Sequence, residues 1–432
     1  MRKLVMPLAL GLLALSGAAH AQDAPGDALA GEITVWSWNV AASALEAVAE
    51  DFMAENPGVT VTIEDPGYQQ VLDRVLAGCA AGGVDLPDVV TLPNEGSEIY
   101  WAQFPDCFTD LTTLGYDEAL RSQFPDFKRT ELEPGGVPYA MPWDSGPVAM
   151  FYRRDMYEAA GVDPASIVTW DDFIAAGQAI QEANPGVVMA QANLGGETEW
   201  LRMIANEQGC GYFSRDAQSI TANGPGCVAA LETVKRLVDA GLMTAATWDE
   251  KIQSNNGGTV ATQMYGAWYE GTIRSTAPEE QAGLWGVYLM PSVTADGARA
   301  ANYGGSALAI PASSENPSAA FAFMAYALGT NEGQVTMLRE YGLVPSLLSA
   351  IEDPYVAEPS AFWGGQAVWT DILATLPTIS PSRGTPFLSD ADAIVLGAQT
   401  AYLNGEHASA RDALDDAAAQ IELVTGLPIA AP

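Results

Sequence analysis

The sequence has very few of the side chains on which many catalytic and nucleic-acid-binding sites depend. Of its 432 residues, two are histidine and 18 are lysine or arginine, against 54 aspartates and glutamates. With so little histidine, histidine-based metal sites and histidine-dependent catalytic triads are nearly excluded. The formal net charge of −36 repels nucleic acid and anionic lipid. We therefore expect neither a metal, nor a cofactor, nor a nucleic-acid partner.

Long apolar runs are also lacking, except at the N-terminus. Two basic residues precede an apolar segment at 4–15, and the Ala-His-Ala pattern at 19–21 is typical of a cleavage site. We interpret residues 1–21 as a cleavable export signal. No cysteine stands directly after the cleavage site, and no later stretch has the length and apolarity of a membrane span. We expect a soluble protein in an oxidising compartment, most simply the periplasm.

Cysteine is scarce too, but its count of four is even, which suits an exported chain with disulfides. Three pairings are arithmetically possible, and the sequence does not decide among them. We expect Cys79 to pair with Cys107 and Cys210 with Cys227. Closing the loop of about 17 residues in the second pair would contribute roughly 3 kcal/mol to stability.

What the sequence does contain is an alternation of strand and helix patterns. Strand-like runs at 33–38, 60–63 and 88–92 are separated by stretches in which apolar residues recur every three or four positions. Ser43 and Glu46 have the spacing of a capping box, which predicts that the first helix begins there. This alternation predicts βαβ units, and hence a largely parallel sheet with helices on both faces.

A second α/β unit is predicted after residue 145, with a strand at 148–152, a helix at 154–160 and a helix capped by Thr169 and Asp172. Further elements are expected as helices near 197–208 and 227–240, strands at 259–265, 285–290 and 306–310, and helices near 318–328, 332–341, 360–375, 388–402 and 408–424. A chain of this length exceeds what one hydrophobic core usually serves, so we predict two domains.

The stretch Met-Pro-Trp-Asp-Ser-Gly-Pro at 141–147 places an aromatic ring beside a carboxylate on a restricted backbone. An indole ring offers an apolar face to a sugar, and a carboxylate accepts hydrogen bonds from hydroxyl groups. A core tryptophan followed by a turn aspartate would give the same spacing. Trp143 and Asp144 are therefore candidate ligand contacts, with the packing alternative open.

Several short motifs, in a shared order, resemble the extracellular solute-binding proteins of carbohydrate ABC transporters, the group that includes maltose-binding protein. The motifs are Ile-Thr-Val-Trp at 33–36, Pro-Asp-Val-Val at 87–90, Tyr-Ala-Met-Pro at 139–142, Phe-Tyr-Arg-Arg-Asp at 151–155, Gly-Ala-Trp at 266–268, Gly-Gly-Ser-Ala-Leu-Ala-Ile at 304–310 and Ser-Ala-Phe-Trp at 360–363. The resemblance implies a two-lobe α/β fold, the type II periplasmic-binding-protein fold, with a ligand cleft between discontinuous lobes that close about a hinge.

By the same resemblance, the chain crosses between lobes near residues 143–146, 302–306 and 345–355. Each lobe is then assembled from separate parts of the chain. The implied N-terminal lobe comprises residues 22–144 and 305–350, and the implied C-terminal lobe comprises residues 145–304 and 351–432.

The resemblance also implies ligand-binding positions, and residue types add others. Positions that match ligand contacts of the family are Trp38, Asn39, Asn94, Glu95, Trp268, Trp363 and Arg383. Residue type and location add Tyr68, Trp143, Asp144, Trp200, Tyr303, Gly304 and Gly305. For the aromatic candidates the alternative is core packing, and for the acidic ones it is a solvated surface position. Leu92 stands where the maltose-binding pattern has an aromatic residue, which leaves the identity of the sugar open.

The function implied is capture of a di- or oligosaccharide or glycoside by a monomer, followed by delivery to the membrane permease subunits of an ABC transporter. Two alternatives stay open. The same fold could hold a polyamine-like cation between tryptophans and carboxylates. A glycoside hydrolase would need only two suitably spaced carboxylates, and acidic residues are plentiful.

Overall fold

The structure is a computed structural model that describes residues 29–382 and 385–430. The predicted export signal at 1–21 lies outside these residues. Within them the strands are β1 Gly31–Trp36, β2 Val59–Glu64, β3 Val89–Pro93, β4 Ala140–Arg153, β5 Val188–Ala192, β6 Met243–Ala245, β7 Val260–Gly266, β8 Trp285–Leu289 and β9 Asn302–Ala309.

The α-helices of the described chain lie mainly between the strands and after β9. They are α1 Asn39–Glu55, α2 Tyr68–Ala80, α3 Glu98–Gln103, α4 Glu118–Arg121, α5 Asp126–Leu132, α6 Arg154–Ala160, α7 Trp170–Ala183, α8 Glu199–Glu207, α9 Pro225–Asp239, α10 Trp248–Gly257, α11 Tyr269–Thr276, α12 Pro317–Gly329, α13 Asn331–Tyr341, α14 Val368–Leu373, α15 Leu388–Leu403 and α16 Ala410–Thr425. Short 3-10 helices connect them at Leu111–Leu114, Pro134–Gly136, Pro164–Ser166, Glu279–Gln281, Leu348–Glu352, Pro354–Ala357 and Leu376–Thr378.

The strands are joined in the order β2-β1-β3-β9-β4-β7-β5-β6, with β8 also paired to β4. β1 runs parallel to β2 and β3, and β5 runs parallel to β6 and β7, as the alternating pattern predicts. The long strand β4 belongs to both halves. Its first part pairs antiparallel with β9, and its second part pairs antiparallel with β7 and β8. We call the half with β1–β3 the first lobe and the half with β5–β8 the second lobe.

Each lobe has its own buried core, and each core is built from distant parts of the chain. In the first lobe, Leu45 of α1 packs in one cluster with Phe323 of α12. In the second lobe, Phe173 of α7 and Leu231 of α9 share a cluster with Leu414 of α16. The predicted two-lobe α/β fold with discontinuous lobes is confirmed. The numbered lobe boundaries given above stay a prediction.

Three chain segments run side by side between the lobes. β4 and β9 form two of them, with Asp144 opposite Ser306. The third follows α13, and its Val344 carbonyl oxygen accepts the Ser145 N–H at 2.8 Å. The hydroxyl groups of Ser145 and Ser346 lie 2.8 Å apart. These segments meet near the positions at which the chain is predicted to cross.

A buried lysine binds two of these segments together. The Lys128 ammonium group, on α5, donates to the Asp144 carbonyl oxygen at 2.6 Å and to the Ser306 carbonyl oxygen at 3.0 Å. Burial lowers the pKa of Lys128 to about 8, although the nearby carboxylates of Glu131 and Asp144 oppose that shift. α5 therefore anchors the first lobe directly to the crossing backbone.

Most predicted elements are present, and the exceptions have physical causes. The capping box of Thr169 and Asp172 is confirmed at α7. The prediction that Ser43 caps the first helix is wrong, because α1 begins at Asn39, whose N–H donates to the Asp65 carboxylate at 2.9 Å. The helix expected from residue 360 begins only at Val368, since the preceding segment turns through two glycines with φ of 65° and 81°.

Both expected disulfides are confirmed. Cys79 pairs with Cys107, which ties the end of α2 to the segment after α3. Cys210 pairs with Cys227, which ties the loop after α8 to the start of α9. Each bridge lies within one lobe, so neither restricts the movement of one lobe against the other.

The outer edge of β8 is covered by side chains. Gln366 accepts the Val287 N–H at 3.0 Å and donates to the Val287 carbonyl oxygen at 2.7 Å. Arg154 donates to the Trp285 carbonyl oxygen at 2.8 Å. The Gln366 amide therefore imitates the hydrogen bonds of a neighbouring strand.

Gly146→Ala is expected to lower the free energy of unfolding by roughly 1 to 3 kcal/mol, because an added Cβ would overlap the Tyr303 carbonyl oxygen on the neighbouring strand. Gly195→Ala is the matched control, because no described atom beyond its two chain neighbours lies within 4 Å of its added Cβ. Urea denaturation followed by tryptophan fluorescence measures both variants. Equal stability of the two would contradict this close packing.

Candidate ligand-binding site between the lobes

A small cavity of about 60 Å³ lies where the two lobes meet. The first lobe contributes Asn94 and Glu95, which directly follow β3, and Glu131 of α5. The second lobe contributes Arg202 and Asn206 of α8. Ligands of open α/β sheets bind outside the carboxyl ends of the strands, and the position of Asn94 and Glu95 fits that rule.

The Asn94 side chain is buried in this cavity. Its backbone N–H donates to the Gly305 carbonyl oxygen at 3.0 Å, which holds the loop in place. Its side-chain nitrogen lies close enough to Glu131 for a hydrogen bond that acts to lower the pKa of that carboxyl group, whereas its side-chain oxygen lacks a partner among the described residues. An unsatisfied buried amide oxygen is costly and rare in native proteins, so it marks a place for a polar ligand or water.

An ion pair joins the lobes across the cavity. The Arg202 guanidinium group of the second lobe contacts the Glu95 carboxylate of the first lobe. The same guanidinium carbon lies 5.6 Å from the centre of the Tyr303 ring, a cation–π distance. Tyr303 belongs to the crossing strand β9, so the pair also contacts the segment that links the lobes.

Four further rings extend from Tyr303 into the second lobe. The Tyr265 ring centre lies 6.1 Å from that of Tyr303 and 5.6 Å from that of Trp268. Trp248 lies 6.1 Å from Trp268 with an angle of 31° between the ring planes, and 40% of its surface is exposed. Tyr269 stacks on Tyr265 at 4.7 Å. We call these five residues the aromatic cluster.

A buried ion pair supports the aromatic cluster from beneath. The Lys251 ammonium group lies 2.5 Å from a Glu199 carboxylate oxygen and 2.5 Å from the Tyr265 hydroxyl oxygen. The Tyr265 hydroxyl donates to the other Glu199 oxygen. Burial, and then the Glu199 carboxylate, raise the pKa of Tyr265, which keeps this hydroxyl protonated. The orientation of the Tyr265 ring is therefore set by two charged groups.

The first lobe presents a smaller pair of rings. Trp38 and Tyr68 meet edge to face with 4.9 Å between ring centres, and 43% of the Tyr68 surface is exposed. Burial, and then the Glu95 carboxylate, raise the pKa of Tyr68, so Glu95 lies near this ring. Asn39 is exposed beside Trp38, with a φ of 47°.

Of the residues that the sequence proposes, one group surrounds the region between the lobes. Glu95 is close to both Tyr68 and Arg202, and Arg202 lies over Tyr303. The proposed positions that the structure brings together in this way are Trp38, Tyr68, Asn94, Glu95, Trp268 and Tyr303. Their contact with a ligand stays a prediction.

Three tryptophans that the sequence proposes for the site lie in lobe cores instead. Trp143 donates to the Met337 sulfur at 3.1 Å, and Trp363 donates to Glu270 at 2.8 Å. Trp200 packs against Trp170 with 5.9 Å between ring centres. None of the three exposes more than 1% of its surface, so we correct their assignment from ligand stacking to core packing.

Asp144 and the two glycines serve the crossing strands. The Asp144 carboxylate accepts the Ser306 N–H at 2.8 Å and also the Ser306 hydroxyl. We therefore correct the assignment of Asp144 from an acceptor of ligand hydroxyls to a contact between the crossing strands. Gly304 and Gly305 have φ of 86° and 98°. An added Cβ at Gly305 would lie 2.6 Å from the Asp144 carbonyl oxygen, so chain packing requires this glycine. Arg383 lies outside the described residues.

Arg202, Trp248 and Glu131 were not among the sequence-proposed residues. Arg202 could have been considered because a chain with 18 basic residues and 54 acidic ones will pair most of its arginines. Trp248 directly follows Thr247, which forms a capping box with Glu250, so the sequence pattern could have predicted the start of α10 at Trp248. No local pattern indicates that Glu131 faces a cavity.

Residues 36–334 match the family of bacterial extracellular solute-binding proteins. The chain belongs to this family. Among curated relatives, this solute-binding protein is 31% identical to a lactose-binding protein of Rhizobium radiobacter, over 88% of this chain and 90% of that protein. It is 26% identical to an arabinooligosaccharide-binding protein of Bacillus subtilis, over 82% of this chain and 83% of that one.

Solved structures with the same fold include the sugar-binding protein MalE of Xanthomonas citri, with a TM-score of 0.76 and 19% identity over 91% of this chain and 97% of that one. Another is a transporter-associated binding protein of B. animalis subsp. lactis in complex with β-1,6-galactobiose, with a TM-score of 0.71 and 24% identity over 93% of this chain and all of that one. At these identities the likeness concerns the fold alone.

Family membership also decides between classes of activity. The solute-binding protein is a binding component of an ABC transporter and not an enzyme, so the glycoside hydrolase alternative is not supported. Among the described residues, no helix has both the length and the apolar character of a membrane span.

Lys251→Met is expected to lower the free energy of unfolding by roughly 3 to 5 kcal/mol, because it leaves the Glu199 carboxylate buried without its cation. Lys235→Met is the matched control, since Lys235 pairs with the exposed Asp239 and the variant should lose less than about 1 kcal/mol. Chemical denaturation measures both. A similar small loss in the two variants would show that the buried pair does not stabilise the second lobe.

Proposed function

We propose that this protein is the sugar-capturing component of an ABC importer, and that the ligand occupies the cavity between the lobes. The observation that carries the proposal is Asn94, whose buried side-chain oxygen is a free acceptor at that cavity. A sugar hydroxyl can donate to this oxygen. The names of the lactose-binding and arabinooligosaccharide-binding relatives favour a sugar over the polyamine-like cation.

The cavity and the aromatic cluster supply the two kinds of contact that a sugar needs. Asn94, Glu95 and Arg202 provide polar groups at the cavity. Trp268 and the exposed Trp248 provide apolar ring faces next to Tyr303. The enclosed space of about 60 Å³ is smaller than the range of about 300 to 1,000 Å³ that is typical of small-ligand pockets, so the lobes must move apart to admit a sugar. We favour a di- or short oligosaccharide that reaches from Asn94 towards Trp268.

Binding would act by favouring closure of the lobes. A sugar that contacts Asn94 of the first lobe and Trp268 of the second lobe binds the closed arrangement better than the open one, and this differential affinity shifts the population. The closed protein would then deliver the sugar to the membrane permease subunits. We further propose that it does so as a periplasmic monomer after removal of residues 1–21.

The test is calorimetric titration of the protein that begins at Gln22 with lactose, galactobiose, arabinobiose, arabinotriose and maltose. At least one of these sugars should bind, with a rise in melting temperature that follows mass action. Small-angle scattering with and without that sugar should show a smaller radius of gyration in the complex. Failure of every sugar to bind would refute the proposed function.

Trp248→Ala is expected to weaken binding of that sugar about tenfold, or roughly 1.4 kcal/mol, through loss of a ring face at the aromatic cluster. The matched control is Leu423→Ala, because Leu423 is 86% exposed on α16 and should leave affinity unchanged. Calorimetry measures both. An unchanged affinity in Trp248→Ala would remove this residue from the proposed site.

A further inference from the structure

We infer that the cavity accepts uncharged sugars and rejects sugars that carry a carboxylate or a phosphate, because Glu95 already occupies the guanidinium group of Arg202. This inference rests on the proposed sugar-binding function and names the class of sugar. Glu95 then acts as a specificity-determining residue, in addition to any hydrogen bond that it makes to the ligand.

Arg202 is the only cationic residue among the described residues that line the cavity. Its guanidinium group contacts the Glu95 carboxylate, and the two side chains expose only 23% and 32% of their surface. A half-buried guanidinium group is the usual partner of an anionic ligand. Here that partner is taken by a carboxylate from the opposite lobe, so the ion pair also depends on the lobes being close together.

The other charged groups of the cavity wall are acidic. Glu98 and Glu131 line it together with Glu95. Burial is the main reason why the pKa of Glu131 rises to about 8, with Lys128 opposing the rise and the carboxylates of Glu95 and Glu98 adding to it. A second negative charge is therefore already unfavourable at this place, before any ligand enters.

An anionic sugar would have to displace Glu95 from Arg202 or remain unpaired. If the ligand displaces Glu95, the Glu95 carboxylate is left half-buried without a cation. If it does not, the anionic group of the ligand is itself left half-buried without a cation. Both courses are avoided by an uncharged sugar, which leaves the ion pair intact. Unpaired groups thus select against a wrong ligand without any steric clash.

The group that is free to bind a ligand is neutral. The Asn94 side-chain oxygen lacks a partner among the described residues. By contrast, Asn206 is occupied, because its amide donates to the Ser380 carbonyl oxygen at 3.0 Å and accepts the Asn302 N–H at 2.9 Å. The Tyr212 hydroxyl is also engaged, since it donates to Asp392 at 2.8 Å. A free amide oxygen accepts hydrogen bonds from hydroxyl groups and provides no positive charge for an anion.

The experiment compares matched neutral and anionic sugars by calorimetry at low salt. The pairs are galactose with galacturonate, galactobiose with digalacturonate, and cellobiose with cellobiouronate, and galactose-1-phosphate is added as a phosphorylated probe. For each neutral sugar that binds, the anionic counterpart should bind at least about 100-fold more weakly, because like charges held close together oppose binding. An anionic probe that binds as tightly as its neutral partner overturns the inference and leaves sugar binding intact.

Glu95→Gln tests the assigned cause, because it keeps the shape of the side chain and releases the charge of Arg202. The preference for the neutral sugar over its anionic counterpart should fall at least about tenfold in this variant. Asp126→Asn is the matched control: Asp126 forms an ion pair between the lobes as well, with Arg215, but does not line the cavity. Its preference should equal that of the unchanged protein.

The outcomes separate the two proposals. An equal fall in preference in both variants would assign the effect to lobe closure and overturn the role of Glu95. An unchanged preference in Glu95→Gln would overturn that role as well. If neither these probes nor any sugar of the first titration binds, the proposed sugar function fails and the inference falls with it.

Discussion

The contact of the Lys128 ammonium group with two backbone carbonyl oxygens is the interaction on which the arrangement of the two lobes depends. Lys128 belongs to the first lobe, and the oxygens belong to Asp144 of β4 and Ser306 of β9, where both strands pass between lobes. A buried lysine without such partners would be very costly. Because the same region carries Asn94 and Tyr303 on neighbouring segments, the crossing backbone also positions the cavity.

The two lobes, held by this contact, each contribute one wall of the cavity. One lobe brings the free amide oxygen of Asn94 and a carboxylate, and the other brings a guanidinium group and a row of rings. Neither half is a complete site alone. The strong supports lie behind the ligand-facing groups: Lys251 and Glu199 fix Tyr265, and the glycines of β9 let the crossing strands approach each other.

Local patterns in the sequence predict most of the fold. The predictions that are wrong concern positions where contacts between distant residues determine the structure. The alternation of strand and helix, and the cap at Thr169, depend on neighbouring residues and were predictable. The start of α1 was not, because Asp65 supplies its first hydrogen bond from outside the helix. Trp268 and Trp363 have similar sequence surroundings, yet only tertiary packing determines that one is partly exposed and the other fully buried.

The coverage of β8 by Gln366 has a consequence for the behaviour of the protein at high concentration. An open strand edge is a template on which a second copy can add its own strand, and this is a common route to aggregation. Here the Val287 N–H and carbonyl oxygen are already satisfied by one amide of the same chain. At Val287, the edge of β8 therefore offers no free backbone group to which a second copy could add a strand.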